Sequence, residues 1–265
     1  MSFLVPAQAY GRFMGRFSEP LAEQFLGVAG LEPGQRALDV GCGPGALTTR
    51  LVEVLGPAAV SAVDPSETFV AAAREALPGV HVQQGRAESL AFADDTFDAT
   101  LATLVVHFMT DPVAGLTEMA RVTRAGGVVG ATVWNHASGS GPLSLFWEAV
   151  RAVDPQEEGE DDYAGVHEGD LAALFRGAGL PDLSESVLLV HVPFDSFEQW
   201  WEPYTLGVGP AGQYVAGLDP EARERLEQAC RETVPTAPFT VAAQSWCVCA
   251  RVPTRPAATG RPDPS

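Results

Sequence analysis

The run Leu38-Asp39-Val40-Gly41-Cys42-Gly43-Pro44-Gly45 begins as a buried strand and ends as a glycine-rich turn. ALTTRLVEVL (46–55) follows directly with helical spacing. A strand–turn–helix of this kind brings backbone amides close to a ligand at a helix N-terminus. The glycines stand at 41, 43 and 45, giving GxGxG. The dinucleotide fingerprint GxGxxG would need a glycine at 46, where Ala46 stands. Taken alone the turn is a weak signal, because the same glycines also allow plain strand–helix packing.

Working outward, an alternation of strand and helix patterns appears. AAVSAVD (58–64) reads as a second strand, and Ser66 is placed to cap the helix ETFVAAAREAL, which Pro78-Gly79 ends. VHVQQG (80–85) is a third strand. TFDATLATLVV (96–106) is a fourth, without alternation and therefore buried on both faces. Asp111-Pro112 opens a helix to Arg124, Gly126-Gly127 break it, and VVGATVWN (128–135) is a fifth strand. Upstream, Ser18 is placed to cap a helix that starts at Pro20 and buries Leu21, Phe25 and Leu26. Five strands alternating with helices predict a doubly wound parallel sheet, an α/β fold.

Beyond Asn135 the pattern changes. Helices are predicted near 142–153, 167–180 and 219–234, and strands at 184–194 and 244–252. FEQWWEPYTLGVGPAGQYV (197–215) reads as irregular and aromatic. The acidic run Glu157 to Asp162 reads as a solvated loop. The Pro-rich tail 253–265 is expected to be disordered.

Composition narrows the function. The 265 residues carry 16 basic and 34 acidic side chains, a net charge of −18. Such a surface repels phosphate backbones and anionic lipid heads, so nucleic acid and membrane are not expected partners. The longest apolar run, Ala99 to Met109, is too short for the roughly 20 residues of a bilayer span. The N-terminus lacks a basic segment followed by a clean apolar one. Cys42, Cys230, Cys247 and Cys249 are unevenly spaced, as expected of reduced thiols. No His or Cys cluster accompanies Cys247 and Cys249, so no metal site is expected. A soluble cytoplasmic protein is the expectation.

Four motifs in order now carry a resemblance. LDVGCGPG resembles motif I, and AVDPS motif II, of the class I S-adenosylmethionine-dependent methyltransferases. QGRAESLAFADDTFD and RVTRAGGVV are similar to the later motifs of the widespread methyltransferase type 11, or UbiE-like, bacterial branch. AYGRFMGRFSEPLAEQFL looks like the cap of a bacterial subgroup. The resemblance covers most of residues 8–135 and is vaguer from 140 to 252. Arg86, Ala91 and Ala125 depart from the branch, which often has Asp, Pro and Pro there. The implied fold is a Rossmann-like seven-stranded sheet with the last strand inserted antiparallel. A helical cap from 1–35 and insertions at about 137–168 and 196–240 would cover a methyltransferase domain over 36–252.

The resemblance also implies roles. Gly41 and Gly43 would let the methionine moiety and ribose of the cofactor lie against the turn. Asp39 would orient that turn near the cofactor's ammonium, and Asp64 would hold the ribose hydroxyls. Pro65 and Ser66 would pack at the adenine edge, Ala87 and Glu88 at its other edge. Thr103 and Leu104 would flank the methionine amino group and the methyl. The cofactor would be S-adenosylmethionine, with S-adenosylhomocysteine as product and a small-molecule methyl acceptor. Alternatives stand beside these roles: Asp64 as a helix cap, and Glu88 as a solvated loop residue. His107 is the one histidine expected beside the methyl position, as a general base or as a packing residue. Tyr10, Arg12 and Arg16 would close a lid or decorate a helix. Trp134, Phe146, Trp147, Trp200, Trp201 and Tyr204 would line an apolar pocket or form core. A non-catalytic cofactor-binding protein and a nucleotide-dependent oxidoreductase are the competing classes.

Overall fold

The computed structural model describes residues 7–254. A single seven-stranded sheet runs in the order β3-β2-β1-β4-β5-β7-β6. Its strands are β1 (Ala37–Val40), β2 (Val60–Asp64), β3 (His81–Gln84), β4 (Phe97–Thr103), β5 (Thr123–Trp134), β6 (Leu183–Phe194) and β7 (Phe239–Arg251). The pairings among β1 to β5 are all parallel. β7 inserts antiparallel between β5 and β6. The helices are α1 (Ala7–Tyr10), α2 (Arg16–Ala29), α3 (Ala46–Leu55), α4 (Glu67–Ala76), α5 (Pro112–Val122), α6 (Ser144–Val153), α7 (Asp170–Gly177), α8 (Phe197–Trp201), α9 (Gly209–Gly217) and α10 (Pro220–Thr233).

Helices cover both faces. β1 and β2 are buried at every position, as parallel strands covered on two sides must be. Ala37 joins a core that includes Leu21 and Phe25 of α2 and Leu47 and Leu51 of α3. Its neighbour Leu38 joins the opposite core, with Leu116 and Met119 of α5 and Leu171 and Phe175 of α7. β6 is an edge strand whose residues alternate between exposed and buried from Val187 to Phe194, and Gln24 of α2 bonds the backbone of Leu189 with both ends of its amide.

Several sequence expectations are corrected. Ser18 caps nothing. A π-helical segment, Gly11–Gly15, feeds straight into α2, so Ser18 is a buried helix residue and Pro20 lies inside the helix. Gly126-Gly127 do not break a helix. α5 ends at Val122, where the Thr123 hydroxyl donates to the Met119 carbonyl, and the chain turns at once into β5. The glycine pair sits in β5 at a register irregularity opposite Phe97–Ala99. The segment 197–215 is largely helical rather than irregular, because Ser196 caps α8. β7 begins at Phe239, five residues earlier than the QSWCVCARV pattern suggests. Ser66 and Asp111 cap their helices as expected. Most of the tail 253–265 lies outside the described residues.

Candidate active site

The turn after β1 is stapled to the end of β2. Gly41 N and Cys42 N donate to the Val63 carbonyl at 2.8 and 3.0 Å, and Gly43 N donates to Asp64 Oδ2 at 2.9 Å. Gly41 and Gly43 both have left-handed backbones, with φ of +72° and +53°. They differ in what a side chain would meet. A Cβ on Gly41 would fall 2.4 Å from Val105, so this glycine serves packing. A Cβ on Gly43 would meet nothing within 4 Å, so its bare backbone faces an open cleft.

That cleft lies at the carboxyl ends of the parallel strands, where open α/β sheets bind ligands. It encloses about 950 Å³ of atom-free space, open mouth included. Gly41, Gly43, Asp64, Pro65, Ala87, Glu88, Thr103 and Leu104 line it, together with Tyr10 and Phe69. Asp39 lines a contiguous recess with Ser18, Gly41, Gly43 and Thr103. Ser66 is not brought to the cleft wall; its hydroxyl accepts from Phe69 N to cap α4.

The electrostatics of this end are acidic, and both carboxylates, Asp39 and Asp64, are buried. Asp39 is 1% exposed, and Thr48 Oγ1 donates to its Oδ2 at 2.6 Å. Burial pushes the Asp39 carboxyl up to about 7; the Thr48 bond opposes that rise and the nearby Asp64 adds to it. Asp64 is raised by burial against two amide bonds, from Gly43 N and from Ser66 N at 2.8 Å. Each carboxylate oxygen has about two acceptor sites, so Asp64 keeps one on each oxygen. The hydroxyls of Ser18 and Thr103 are buried without a hydrogen-bond partner in the same recess.

Glu88 lines the cleft, yet its carboxylate is engaged. Thr110 N and Asp111 N donate to Oε1 at 2.8 and 3.4 Å, and the Arg86 guanidinium lies 3.5 Å away. Burial would raise this carboxyl, but those backbone bonds and the Arg86 charge hold it below its ordinary value. Arg86 itself donates to Thr110 Oγ1. Glu88 therefore ties the 86–89 turn to the start of α5.

Tyr10 turns the N-terminal segment into a wall of the cleft. Its ring stands edge-on to Phe69 at 5.4 Å, and burial followed by the Asp64 charge pushes its hydroxyl up to about 12. Arg12 and Arg16 do not reach the cleft. Arg12 pairs with Glu202 at 2.7 Å, and Arg16 donates to the Pro193 carbonyl and stacks over Phe194.

A second, narrow chamber adjoins the cleft, with about 440 Å³ of atom-free space, open mouth included, and Tyr10, Leu104 and Phe108 line both. Leu104 holds φ at +62°, a strained value for a leucine, with its N–H donating to the Thr132 carbonyl. The chamber holds His107, whose ring lies 4.0 Å from Phe108 and stacks at 6.1 Å on Tyr163. His107 Nδ1 is buried without a partner. Burial, then the neighbouring His136, pushes His107 down to about 3, which makes it a weak proton acceptor.

Sequence reasoning missed two residues here. His107 was the one histidine expected there, but His136 also lines the chamber, with its ring 6.5 Å from that of His107. Glu160 belongs to the acidic run read as solvated, yet it is 3% exposed and lines the same chamber. Of the aromatic set, Trp134 reaches the chamber. Phe146, Trp200, Trp201 and Tyr204 pack as core, and Trp147 Nε1 donates to Glu160 Oε2 at 2.9 Å.

Sheet order, glycine turn and acidic strand end together define the class I methyltransferase fold. Residues 38–130 match the family described as the methyltransferase domain Methyltransf_11. It is 33% identical over 153 residues to 2-methyl-6-phytyl-1,4-hydroquinone methyltransferase 2, chloroplastic, of Oryza sativa, covering 54% of this chain and 42% of that one. It is 43% identical over 101 residues to an uncharacterized methyltransferase of Mycobacterium tuberculosis, covering 38% and 40%. The chain thus spans about two-fifths of the length of these curated relatives. Among solved structures, Haemonchus contortus phosphoethanolamine N-methyltransferase 2, in complex with phosphomonomethylethanolamine and S-adenosylhomocysteine, aligns with a TM-score of 0.59. The identity is 18%, over 94% of this chain and 57% of that one. The YcgJ protein of Bacillus subtilis aligns with a TM-score of 0.54 at 18% identity, over 88% and 98%. No helix among the described residues is long and apolar enough to cross a membrane.

Proposed function

We propose that this protein transfers the methyl group of S-adenosylmethionine to a small-molecule acceptor, leaving S-adenosylhomocysteine. The observation that carries this reading is the cradle at the ends of β1 and β2. There the open backbone of Gly43 and the two spare acceptor sites of Asp64 face one cleft. Those sites suit a pair of vicinal hydroxyls. Pro65, Phe69 and Ala87 offer an apolar slot for a flat base beyond them. The unpartnered hydroxyls of Ser18 and Thr103, beside Asp39, suit an amino-acid end. A cation there would favour the charged form of Asp39 and offset the burial that raises it.

When bound, S-adenosylmethionine supplies an electrophilic methyl group on a sulfonium. The chain's own part is alignment and exclusion of water. Leu104, Phe108 and Tyr10 line both cleft and chamber. Holding two reactants in register in this way is worth about 7–11 kcal/mol. The narrow chamber supports a small acceptor rather than a polymer. Four unpaired cysteines support a reducing compartment, and we place the protein in the cytoplasm.

Calorimetry with S-adenosylmethionine, S-adenosylhomocysteine and NADH tests the reading. One site for each of the first two and none for NADH is expected. NADH binding as tightly as S-adenosylmethionine would restore the oxidoreductase alternative.

A further inference from the structure

Glu160 is a carboxylate where a carboxylate is costly. It is 3% exposed, and its chamber is walled by Phe13, Met14, Trp134 and Leu143. No cationic side chain among the described residues pairs with it, whereas its neighbour Asp161 is held by Arg151. Its one side-chain hydrogen bond comes from Trp147 Nε1, to Oε2. The local backbone is shaped for this inward turn: Gly159 has φ +71°, and a Cβ there would sit 3.0 Å from the Trp147 indole. Nearby, His107 Nδ1 and Trp134 Nε1 are also buried without partners. Buried ionisable groups without a partner are expensive unless a ligand completes them.

We propose that the second chamber is the acceptor site and takes a small apolar primary amine, with Glu160 as its anchor and proton acceptor. This rests on the methyltransferase reading above. A compact ammonium would give Glu160 its missing countercharge, and the aromatic walls would favour a cation over a neutral isostere. The acidic surface, −18 overall, raises the local concentration of such cations. The buried ammonium and the carboxylate exchange one proton to give a free amine and a carboxylic acid, with no net change in charge. The amine nitrogen then carries its lone pair toward the junction at Leu104. Burial pushes Glu160 up to about 7, which suits it to this exchange better than His107.

The test measures binding to the protein saturated with S-adenosylhomocysteine. The probes are benzylamine, 2-phenylethylamine and tryptamine, each against its neutral isostere: benzyl alcohol, 2-phenylethanol and tryptophol. At least one amine should bind about tenfold or more tighter than its alcohol. In Glu160→Gln that amine should weaken by about 10–100-fold while the alcohol stays within about twofold. S-adenosylhomocysteine affinity should be the same in both proteins. Alcohols binding as well as amines, no amine binding at all, or an unchanged amine affinity in Glu160→Gln would each overturn the assignment. The wild-type comparison decides the amine class even if the variant does not fold. Failure of S-adenosylhomocysteine itself to bind is a separate result that removes the methyltransferase reading, and the acceptor site with it.

Discussion

The cleft and the chamber share Tyr10, Leu104 and Phe108 but are assembled in different ways. The cleft is drawn mainly from the ends of four neighbouring strands, β1 to β4, and three glycines, Gly41, Gly43 and Gly85, are among its walls. The chamber is drawn from segments spread from Tyr10 to Pro210, and its polar groups are side chains: His107, His136 and Glu160. Backbone held by a sheet keeps its geometry when side chains change. A pocket held by side chains from separate loops changes with each of them. On the proposed reading, one half of this site is a fixed socket, and the other is the part that would set the acceptor.

The sharpest way to break that division is Gly43→Val. An added Cβ meets no protein atom within 4 Å, so the main expected cost to folding is the left-handed backbone strain of about 1–3 kcal/mol. Cofactor affinity should fall by more than about 100-fold, because the cleft is filled. Gly41→Val should do the reverse: its side chain collides with Val105, so stability falls first. Thermal melts and calorimetry on both variants read the difference. Equal effects in the two would dissolve the distinction between packing glycine and ligand glycine.

In the chamber, His107→Gln should leave turnover within about tenfold and lower the melting temperature. A histidine held near 3 contributes little as a base. A loss of about 10²–10⁴ in turnover by a well-folded variant would return the base role to His107.

The smallest expected effect is on pH. Glu160 has a raised folded pKa, so between pH 5 and about 7 the native state binds more protons than the unfolded one. Its contribution to stability therefore falls as pH rises through that window. The two histidines, lowered to about 3 and about 4, act oppositely: the unfolded state binds more protons below pH 6.5, so acid destabilises. Melting temperatures of Glu160→Gln should drop less than wild type between pH 5 and 8. A parallel fall in both proteins would show Glu160 to be more solvated than its burial indicates.

The same contrast explains what was legible in the sequence. Strand periodicity, helix caps and the spacing from Gly43 to Asp64 are local or nearly local, so the five-stranded half and its acidic strand ends were readable residue by residue. Ser66 shows the limit even there, since a cap and a cleft contact look alike in a strand–loop–helix. Ser18 misled because a helix continuing from Gly11 leaves no local mark at the false start. Glu160 was invisible, because its burial depends on Trp147 and on the Gly159 turn. A glycine inside an acidic run, Glu158-Gly159-Glu160, was the one faint signal. His136 and His107 meet only once β4 and β5 are paired in register.

Asp64 offers the most direct measurement, a calorimetric titration of S-adenosylhomocysteine into wild type and Asp64→Ala. Wild type should bind one equivalent. Asp64→Ala should bind about 10–100-fold more weakly, the value of hydrogen bonds to a charged group, while remaining folded. Equal affinity in two folded proteins, or no binding by wild type, would contradict the assignment of the β1–β2 cradle as the cofactor site.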